Sequence, residues 1–181
     1  MNIRLCRKEE LPLILKMSED FATEGCCNGI VPDTMDDLLE NEIYVAEEAG
    51  EILGYAYGSA ETASRKRWFI LPGTKNFYVE VIYVKPVHRS SGVGRKLYQR
   101  LENRAKELGC GTMEVIAVSR SYQKLLHFYI DELGLEFFTA HLMKKNIRKS
   151  VLPKQYAFLS SYSLCFAASA TKSRKIGANS L

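Results

Sequence analysis

A turn rich in glycine and basic residues separates an apolar run from a helix-like pattern, and it reads Arg89-Ser90-Ser91-Gly92-Val93-Gly94-Arg95. A loop at such a place surrounds the first N–H groups of the helix, which lack an intrahelical acceptor and carry the positive end of the helix dipole. Its two glycines leave room for an anion against the backbone, and Arg89, Arg95 and Lys96 bring positive charge. We call residues 89–95 the phosphate turn and predict that it binds a pyrophosphate; an ordinary strand-to-helix turn is the alternative.

Two side chains close to this turn in the sequence are able to move protons. Glu80 interrupts the apolar run FYVEVIYV, and an alternation of two predicts that it shares a face with Ile82 and Val84. A carboxylate among apolar residues is costly without a partner or a purpose. The alternative is a Glu at the wet end of the strand, paired with Lys75 or another base. Tyr129 lies on an apolar helical stripe, and from periodicity alone it is a core tyrosine.

The elements that position these residues alternate along the chain. We predict strands at 2–6, 44–47, 52–60, 77–84, 113–118 and 135–143. We predict helices from Leu11, over 33–39 with Asp33 as the N-cap, over 93–108, and after Ser119 or Ser121. Residues 62–76 are predicted to be mostly loop. The order of strands and helices predicts an α/β fold.

The residues of the turn and the strand before it, VEVIYVKP, resemble the GNAT superfamily of acyl-CoA-dependent N-acyltransferases, whose signature is Arg or Gln, x, x, Gly, x, Gly or Ala. The resemblance implies a three-layer fold with a central mixed, mostly antiparallel sheet flanked by helices. It also implies that acetyl-CoA is the cosubstrate. Backbone amides of the phosphate turn (Arg89, Ser90, Ser91, Gly92, Val93, Gly94 and Arg95) would hold its pyrophosphate, and Ile82, Tyr83 and Val84 would bond its pantetheine arm.

The resemblance further implies direct attack of an amine on the thioester. Glu80 resembles the Glu of polyamine and aminoglycoside acetyltransferases that contacts or helps deprotonate the amine, and the N–H of Val84 would stabilise the oxyanion. The stretch HFYIDELGLEFF resembles the second signature of the family and implies that Tyr129 protonates the leaving thiolate. The chain departs from that signature, because five steps rather than four separate Tyr129 from Gly134, Leu135 replaces a common Phe, and Tyr122 replaces a common Asn.

The acceptor is predicted from charge. Residues 17–64 contain twelve Asp and Glu and no Lys or Arg, although the net charge of the chain is +4. In the family this region forms the wall of the acceptor pocket, so its acids predict that the acceptor is a cationic small-molecule amine such as a polyamine or aminoglycoside. Aromatic side chains predicted to contribute to the same wall are Trp68, Tyr44, Tyr55 and Tyr57. Solvated helix faces are the alternative for the acids. A protein lysine or N-terminal acetyltransferase, and a non-catalytic CoA-binding or interaction module, are the alternative functions.

Composition narrows the remaining possibilities. With 46% hydrophobic residues and no long apolar run, the chain is predicted to be a folded cytoplasmic protein without a membrane segment. Its five cysteines lack metal-site spacing, so no metal is expected, and its bases lack a nucleic-acid motif. We predict an acetyltransferase domain over 1–145 and an extension of unknown structure over 146–181. A homodimer is left open.

Overall fold

The central sheet has five strands that lie side by side in the order of the chain. They are β1 (Asn2–Leu5), β2 (Tyr44–Glu48), β3 (Glu51–Thr62), β4 (Lys75–Val84) and β5 (Thr112–Val115). Neighbours from β1 to β4 are antiparallel, whereas β5 runs parallel to β4. The computed structural model describes residues 1–27, 29–66 and 70–140, so the predictions for Trp68, for residues 141–143 and for the extension at 146–181 lie outside the described residues.

Helices cover both faces of the sheet. They are α1 (Leu11–Thr23), α2 (Met35–Glu40), α3 (Val93–Glu107) and α4 (Tyr122–Leu126), the last of which continues as a π-helical segment, His127–Glu132. On one face α1 and α2 pack on Val45, Tyr55 and Tyr83. On the other, α3 packs on Ala56 and Phe77. This arrangement confirms the expected three-layer fold with a mixed, mostly antiparallel sheet.

Alternation along the strands explains why one sheet supports two separate cores. Successive side chains of a strand point to opposite faces, so Tyr55 belongs to the core under α1 while Ala56 belongs to the core under α3. The helices contribute fully buried side chains to these cores, Ile14 from α1 and Leu97 and Leu101 from α3. Burying each such side chain contributes roughly 1.5–3 kcal/mol.

Most predicted elements are confirmed within a residue or two, whereas one N-cap, the end of one strand and the presence of another strand are wrong. The second helix begins at Met35 with Thr34 as its N-cap, because the Thr34 side chain accepts the N–H of Asp37, and Asp33 is used elsewhere. The fifth strand ends at Val115 rather than residue 118. No strand forms over 135–140, since an apolar pattern makes a strand only where another strand offers a ladder, and here the described residues offer none.

Among the described helices, none has both the length and the apolar character needed to cross a bilayer.

Candidate active site

The sheet opens at the middle of β4. The pairing of β4 with β5 runs from Asn76 opposite Thr112 to Val79 opposite Val115 and stops there. At the same point the pairing of β3 with β4 passes from Tyr57 opposite Val81 to Gly58 opposite Val79, which leaves Glu80 as an extra residue in a β-bulge. Beyond the bulge, residues 80–84 have no strand on their β5 side among the described residues. We call residues 80–84 the open edge.

Backbone polar groups point outward from the open edge. The Lys85 N–H donates to Leu53 O at 2.9 Å, so Lys85 faces β3. The carbonyl of Tyr83 also faces β3, because it lies against Gly54, where an added Cβ would be 2.5 Å away. Peptide groups alternate in direction along an antiparallel strand, which turns the N–H groups of Ile82 and Val84 toward the open side. These are the groups that a ligand lying along the edge can bond.

The phosphate turn brings the start of α3 to the end of this edge. Gly92 is the N-cap of α3 and has a left-handed backbone (φ 84°), and Ser90 is left-handed too (φ 60°). A Cβ at Gly92 would meet nothing within 4 Å, whereas a Cβ at Gly94 would lie 3.4 Å from Phe128 and 3.8 Å from Val84. One side of the turn is therefore open, while the other packs against the π-helical segment and the open edge.

Two of the arginines that the sequence assigned to an anion already have partners. Arg89 Nη2 lies 2.6 Å from Glu24 Oε2, and its Nε donates to Val84 O at 2.9 Å. Arg95 Nη2 lies 2.7 Å from Glu132 Oε2. Because these ion pairs offset the charge of the arginines, the predicted anion binding would depend mainly on the backbone amides of the turn.

Sequence reasoning missed Glu24, which joins two parts of the site. Its other oxygen accepts the hydroxyl of Tyr83 at 2.7 Å, so one carboxylate holds both the open edge and the phosphate turn to the end of α1. Burial and this carboxylate raise the pKa of Tyr83 above the usual range of tyrosine. No local signal marks Glu24, since its partners lie 59 and 65 residues away in the chain.

The predicted orientation of Glu80 is wrong. The bulge adds one residue, so Ile82 and Val84 pack toward α3 while Val81 and Tyr83 pack toward α1. The Glu80 carboxylate accepts the hydroxyl of Ser59 at 2.8 Å, on the α1 side of the sheet. Lys75 is not its partner, because the Lys75 ammonium donates to Leu108 O. Glu80 is exposed at the bulge, where the open edge begins.

Tyr129 is buried with 9% exposure in the core under α3. Burial, together with the neighbouring Tyr98 and Cys27, raises its pKa to about 12, so the phenol is neutral. No described residue bonds to its hydroxyl. The extra residue between Tyr129 and Gly134 is absorbed by the π-helical segment, at whose end Leu133 N–H donates to Phe128 O at 3.1 Å.

The aromatic walls expected for the acceptor separate into two faces. Tyr55 and Tyr57 lie toward α1 and donate their hydroxyls to Asp33 at 3.2 and 2.6 Å, and Ser18 donates to the same carboxylate at 2.7 Å. Tyr44 is on the opposite face under α3, where Arg100 lies 4.5 Å from its ring, so its predicted place in that wall is wrong. Sequence reasoning assigned Asp33 to the N-cap of the second helix and therefore missed its contacts with these tyrosines.

Metal ligands do not converge in the described part of the chain: no three His, Cys, Asp or Glu side chains there could hold a metal ion.

Comparisons with known proteins assign the chain to a family. A family model described as Acetyltransferase (GNAT) family matches residues 15–135. The chain therefore belongs to the GNAT acetyltransferase family, which confirms the resemblance found in the sequence.

Two relatives match over part of their length. The chain is 32% identical over 87 residues to an L-amino acid N-acyltransferase of Escherichia coli, covering 48% of this chain and 46% of the relative. It is 35% identical over 72 residues to an L-methionine sulfoximine/L-methionine sulfone acetyltransferase of Salmonella typhimurium, covering 40% of this chain and 38% of the relative. The matches thus span less than half of either relative.

Solved structures agree in fold. An aminoglycoside N-acetyltransferase, AAC(6')-Iy, in complex with CoA matches with a TM-score of 0.59 at 18% identity, over 80% of this chain and 98% of that one. The structure of a predicted acetyltransferase from Clostridium acetobutylicum with acetyl-CoA matches with a TM-score of 0.58, also at 18% identity, over 80% of this chain and 96% of that one. At this identity the likeness shows the fold alone.

Proposed function

We propose that this chain is an N-acetyltransferase that moves an acetyl group from acetyl-CoA to a primary amine of a cationic small molecule. The observation that carries the proposal is the open edge, whose outward N–H groups lead directly into the helix N-terminus at Gly92. An extended pantetheine arm can bond along such an edge as a further strand would, and its pyrophosphate then reaches the phosphate turn.

The reaction would proceed by direct attack. The neutral amine forms a bond to the thioester carbon, and the carbonyl oxygen gains charge that the Val84 N–H is directed to stabilise. The C–S bond then breaks, and the departing thiolate takes a proton from Tyr129. The amine loses its proton toward Glu80, directly or through water. No acyl-enzyme is needed in this scheme.

The proton on Tyr129 and the exposure of Glu80 support these roles. Burial raises the pKa of Tyr129 to about 12, so the phenol keeps its proton at neutral pH and can donate a hydrogen bond to the departing sulfur. Because a thiol near pKa 8.5 is the stronger acid, complete transfer of the proton to the thiolate is uphill, and the hydrogen bond formed during C–S cleavage is what favours departure of the sulfur. Glu80 is exposed at the bulge and its carboxylate is oriented by Ser59, which leaves it able to meet a solvated ammonium ion.

The side of the sheet under α1, where Asp33, Tyr55, Tyr57 and Glu80 lie, is the proposed acceptor face, and its charge supports a positively charged amine. Asp33, Tyr55 and Tyr57 lie on the same side of the sheet as Glu80, and Asp33 accepts three hydroxyl hydrogen bonds and contacts no base among the described residues. The hydroxyls orient this carboxylate and leave its charge in place. An ammonium group near it gains a Coulomb attraction that a carboxylate-bearing acceptor would partly cancel.

An amino acid acceptor is a second candidate, favoured by the names of the two relatives, an L-amino acid N-acyltransferase and an L-methionine sulfoximine/L-methionine sulfone acetyltransferase. Such an acceptor carries its own carboxylate, which must find a base or N–H donors close to Asp33 and Glu80. We rank it second because the described acceptor face offers two carboxylates and no base beside them.

The test is release of free CoA thiol from acetyl-CoA with spermidine, aminoglycosides, L-amino acids, methionine sulfone and a basic peptide as acceptors. A calorimetric titration with CoA accompanies it. Turnover on a polycation is the expected result, whereas turnover on amino acids alone would overturn the cationic acceptor and keep the enzyme class. No CoA binding would overturn the proposal itself.

A further inference from the structure

Two adjacent thiols lie together in the loop that leaves α1. Cys26 and Cys27 are both half-buried, and their Sγ atoms are 3.7 Å apart. Neighbouring residues of an extended chain point to opposite sides, so this contact requires a bent backbone. Gly25, in the left-handed conformation (φ 65°), precedes the pair and supplies part of that bend. We call Cys26 and Cys27 the thiol pair.

The thiol pair is fastened to the segment that follows β5. The N–H of Arg120 donates to Cys26 O at 2.9 Å, and Cys27 Sγ lies 2.7 Å from the carbonyl oxygen of Val118. Because β5 ends opposite Val79, where the open edge begins, these contacts join the pair to the chain that continues from β5 on the unpaired side of β4. The position of each cysteine is thus fixed by a contact with the segment that follows β5.

The thiol pair is also a neighbour of Tyr129. Cys27 is among the groups that raise the pKa of the Tyr129 phenol, which requires the two side chains to lie within electrostatic range. A group bound across the two sulfurs would therefore lie within electrostatic range of the residue proposed to protonate the leaving thiolate.

We propose that Cys26 and Cys27 form a binding site for trivalent arsenicals of the type R–As(OH)₂. The two thiols condense with one arsenic: two As–S bonds form, two As–O bonds break, and each thiol proton leaves with a hydroxide as water. No electron is transferred and no oxidant is needed. Thiolates are soft ligands that select soft centres, and the second As–S bond is intramolecular, which favours a pair over single cysteines.

The distance between the sulfurs favours this ligand over other thiol chemistry. A disulfide requires the sulfurs to approach to about 2.0 Å and closes a strained ring between adjacent residues, whereas an arsenic atom bridges sulfurs that are already in van der Waals contact. Structural zinc takes four ligands, and no third His, Cys, Asp or Glu joins the pair among the described residues.

The experiment is intact-mass analysis of the whole chain after treatment with phenylarsine oxide and removal of the excess. One phenylarsenic group per chain is expected, released by the dithiol 2,3-dimercaptopropanol and retained against a monothiol at equal thiol concentration. The variants Cys26→Ser and Cys27→Ser should each lose the stable adduct, because a single thiol holds arsenic weakly. The matched control, with Cys6, Cys110 and Cys165 changed to Ser, should keep it.

Two results would overturn the site: an adduct that survives in Cys26→Ser or Cys27→Ser, or one that disappears in the triple control. Circular dichroism and thermal unfolding of each variant separate loss of the pair from loss of fold. If the serine variants unfold, alkylation of the wild-type thiols can be measured instead, since bound arsenic should block alkylation of Cys26 and Cys27 and leave Cys110 as reactive as in the untreated chain.

A second experiment, which measures turnover, rests on the proposed function. In an enzyme with measured turnover, loading the pair should abolish formation of the acetylated product, and the dithiol should restore it. Stoichiometric loading with unchanged turnover would overturn the placement of the pair beside the reacting thioester. The mass measurement needs no activity, so a chain that binds phenylarsine oxide at the pair but acetylates no amine would contradict the proposed function alone.

Discussion

Replacing Gly92 by alanine separates the folding role of the phosphate turn from its proposed binding role. Gly92 begins α3, and Gly109 follows the other end of the same helix. Both are left-handed, with φ of 84° and 71°, and a Cβ at either position would meet nothing within 4 Å. The pair Gly92→Ala and Gly109→Ala therefore imposes nearly the same backbone strain at two places, of which only one is proposed to bind CoA.

The expected loss of folding stability is small and equal in the two variants. A left-handed alanine costs roughly 1–2 kcal/mol, and the reduced freedom of the unfolded chain returns about 0.4–1 kcal/mol. Each variant should thus lose about 1 kcal/mol of unfolding free energy. Binding should differ, because the new methyl group at Gly92 occupies the open side of the turn, where a pyrophosphate would lie against the amides. We expect at least a tenfold weaker affinity for CoA, which corresponds to about 1.4 kcal/mol.

The assay is urea unfolding of both variants, followed by calorimetric titration with CoA and with pantetheine. Pantetheine lacks the pyrophosphate, so Gly92→Ala should leave its weaker binding unchanged, and Gly109→Ala should leave both ligands unchanged. The reasoning is refuted if Gly92→Ala binds CoA as the wild type does, or if both variants lose affinity for CoA to the same extent.

Four further predictions concern the open edge and its surroundings. Tyr129→Phe should lower kcat by about 10²–10⁴ while leaving acceptor KM and stability nearly unchanged, because no described residue bonds the lost hydroxyl; an unaltered rate would remove Tyr129 from the reaction. Since burial raises the pKa of Tyr129 to about 12, its contribution to stability is full below pH 10 and is lost as the pH rises toward 12, and urea unfolding against pH should show this loss in the wild type and less of it in Tyr129→Phe. Glu80→Gln can still accept the Ser59 hydroxyl but removes a charge, so KM should rise for a dication more than for a neutral amine, and equal KM changes would contradict a contact with the acceptor. In Gly54→Ala a Cβ would lie 2.5 Å from Tyr83 O, so the β3–β4 pairing must shift at a cost of about 1–3 kcal/mol, and an unchanged thermal midpoint would be inconsistent with this packing.

Sequence reasoning predicted the phosphate turn and α3 because their signals are local. An apolar stripe of period 3.6, a left-handed glycine at the start of the helix and a buried strand before it all fall within about thirty consecutive residues. The β2–β3 hairpin was predicted for the same reason, since Ala49 and Gly50 supply the left-handed turn that joins two alternating runs. Structure that depends on residues close together in the sequence can be predicted from the sequence.

The features that sequence reasoning missed depend on distant pairs. The alternation around Glu80 predicts one face, but the bulge that reverses it depends on the register with β3, which the β4 sequence does not contain. Asp33 has the residue type and position of an N-cap, and only the folded sheet brings Tyr55 and Tyr57 to it. The strand predicted from Leu135 failed over 135–140 because an apolar run records burial and not the presence of a pairing strand.

The acidic character of residues 17–64 has to be interpreted differently once the ion pairs are known. Seven of its acids pair with bases or with the N-terminal amine, the partners being Lys16 for Glu19 and Asp20, Arg89 for Glu24, Arg104 for Glu42, Arg4 for Glu47, the N-terminus for Glu48 and Lys85 for Glu51. Those charges fasten the segment to the basic remainder of the chain and are largely neutralised. The case for a cationic acceptor therefore rests on Asp33 and Glu80, whose described contacts are hydroxyls. It follows that removing the charge of Glu80 should alter acceptor selectivity, whereas neutralising Glu42 should affect stability alone.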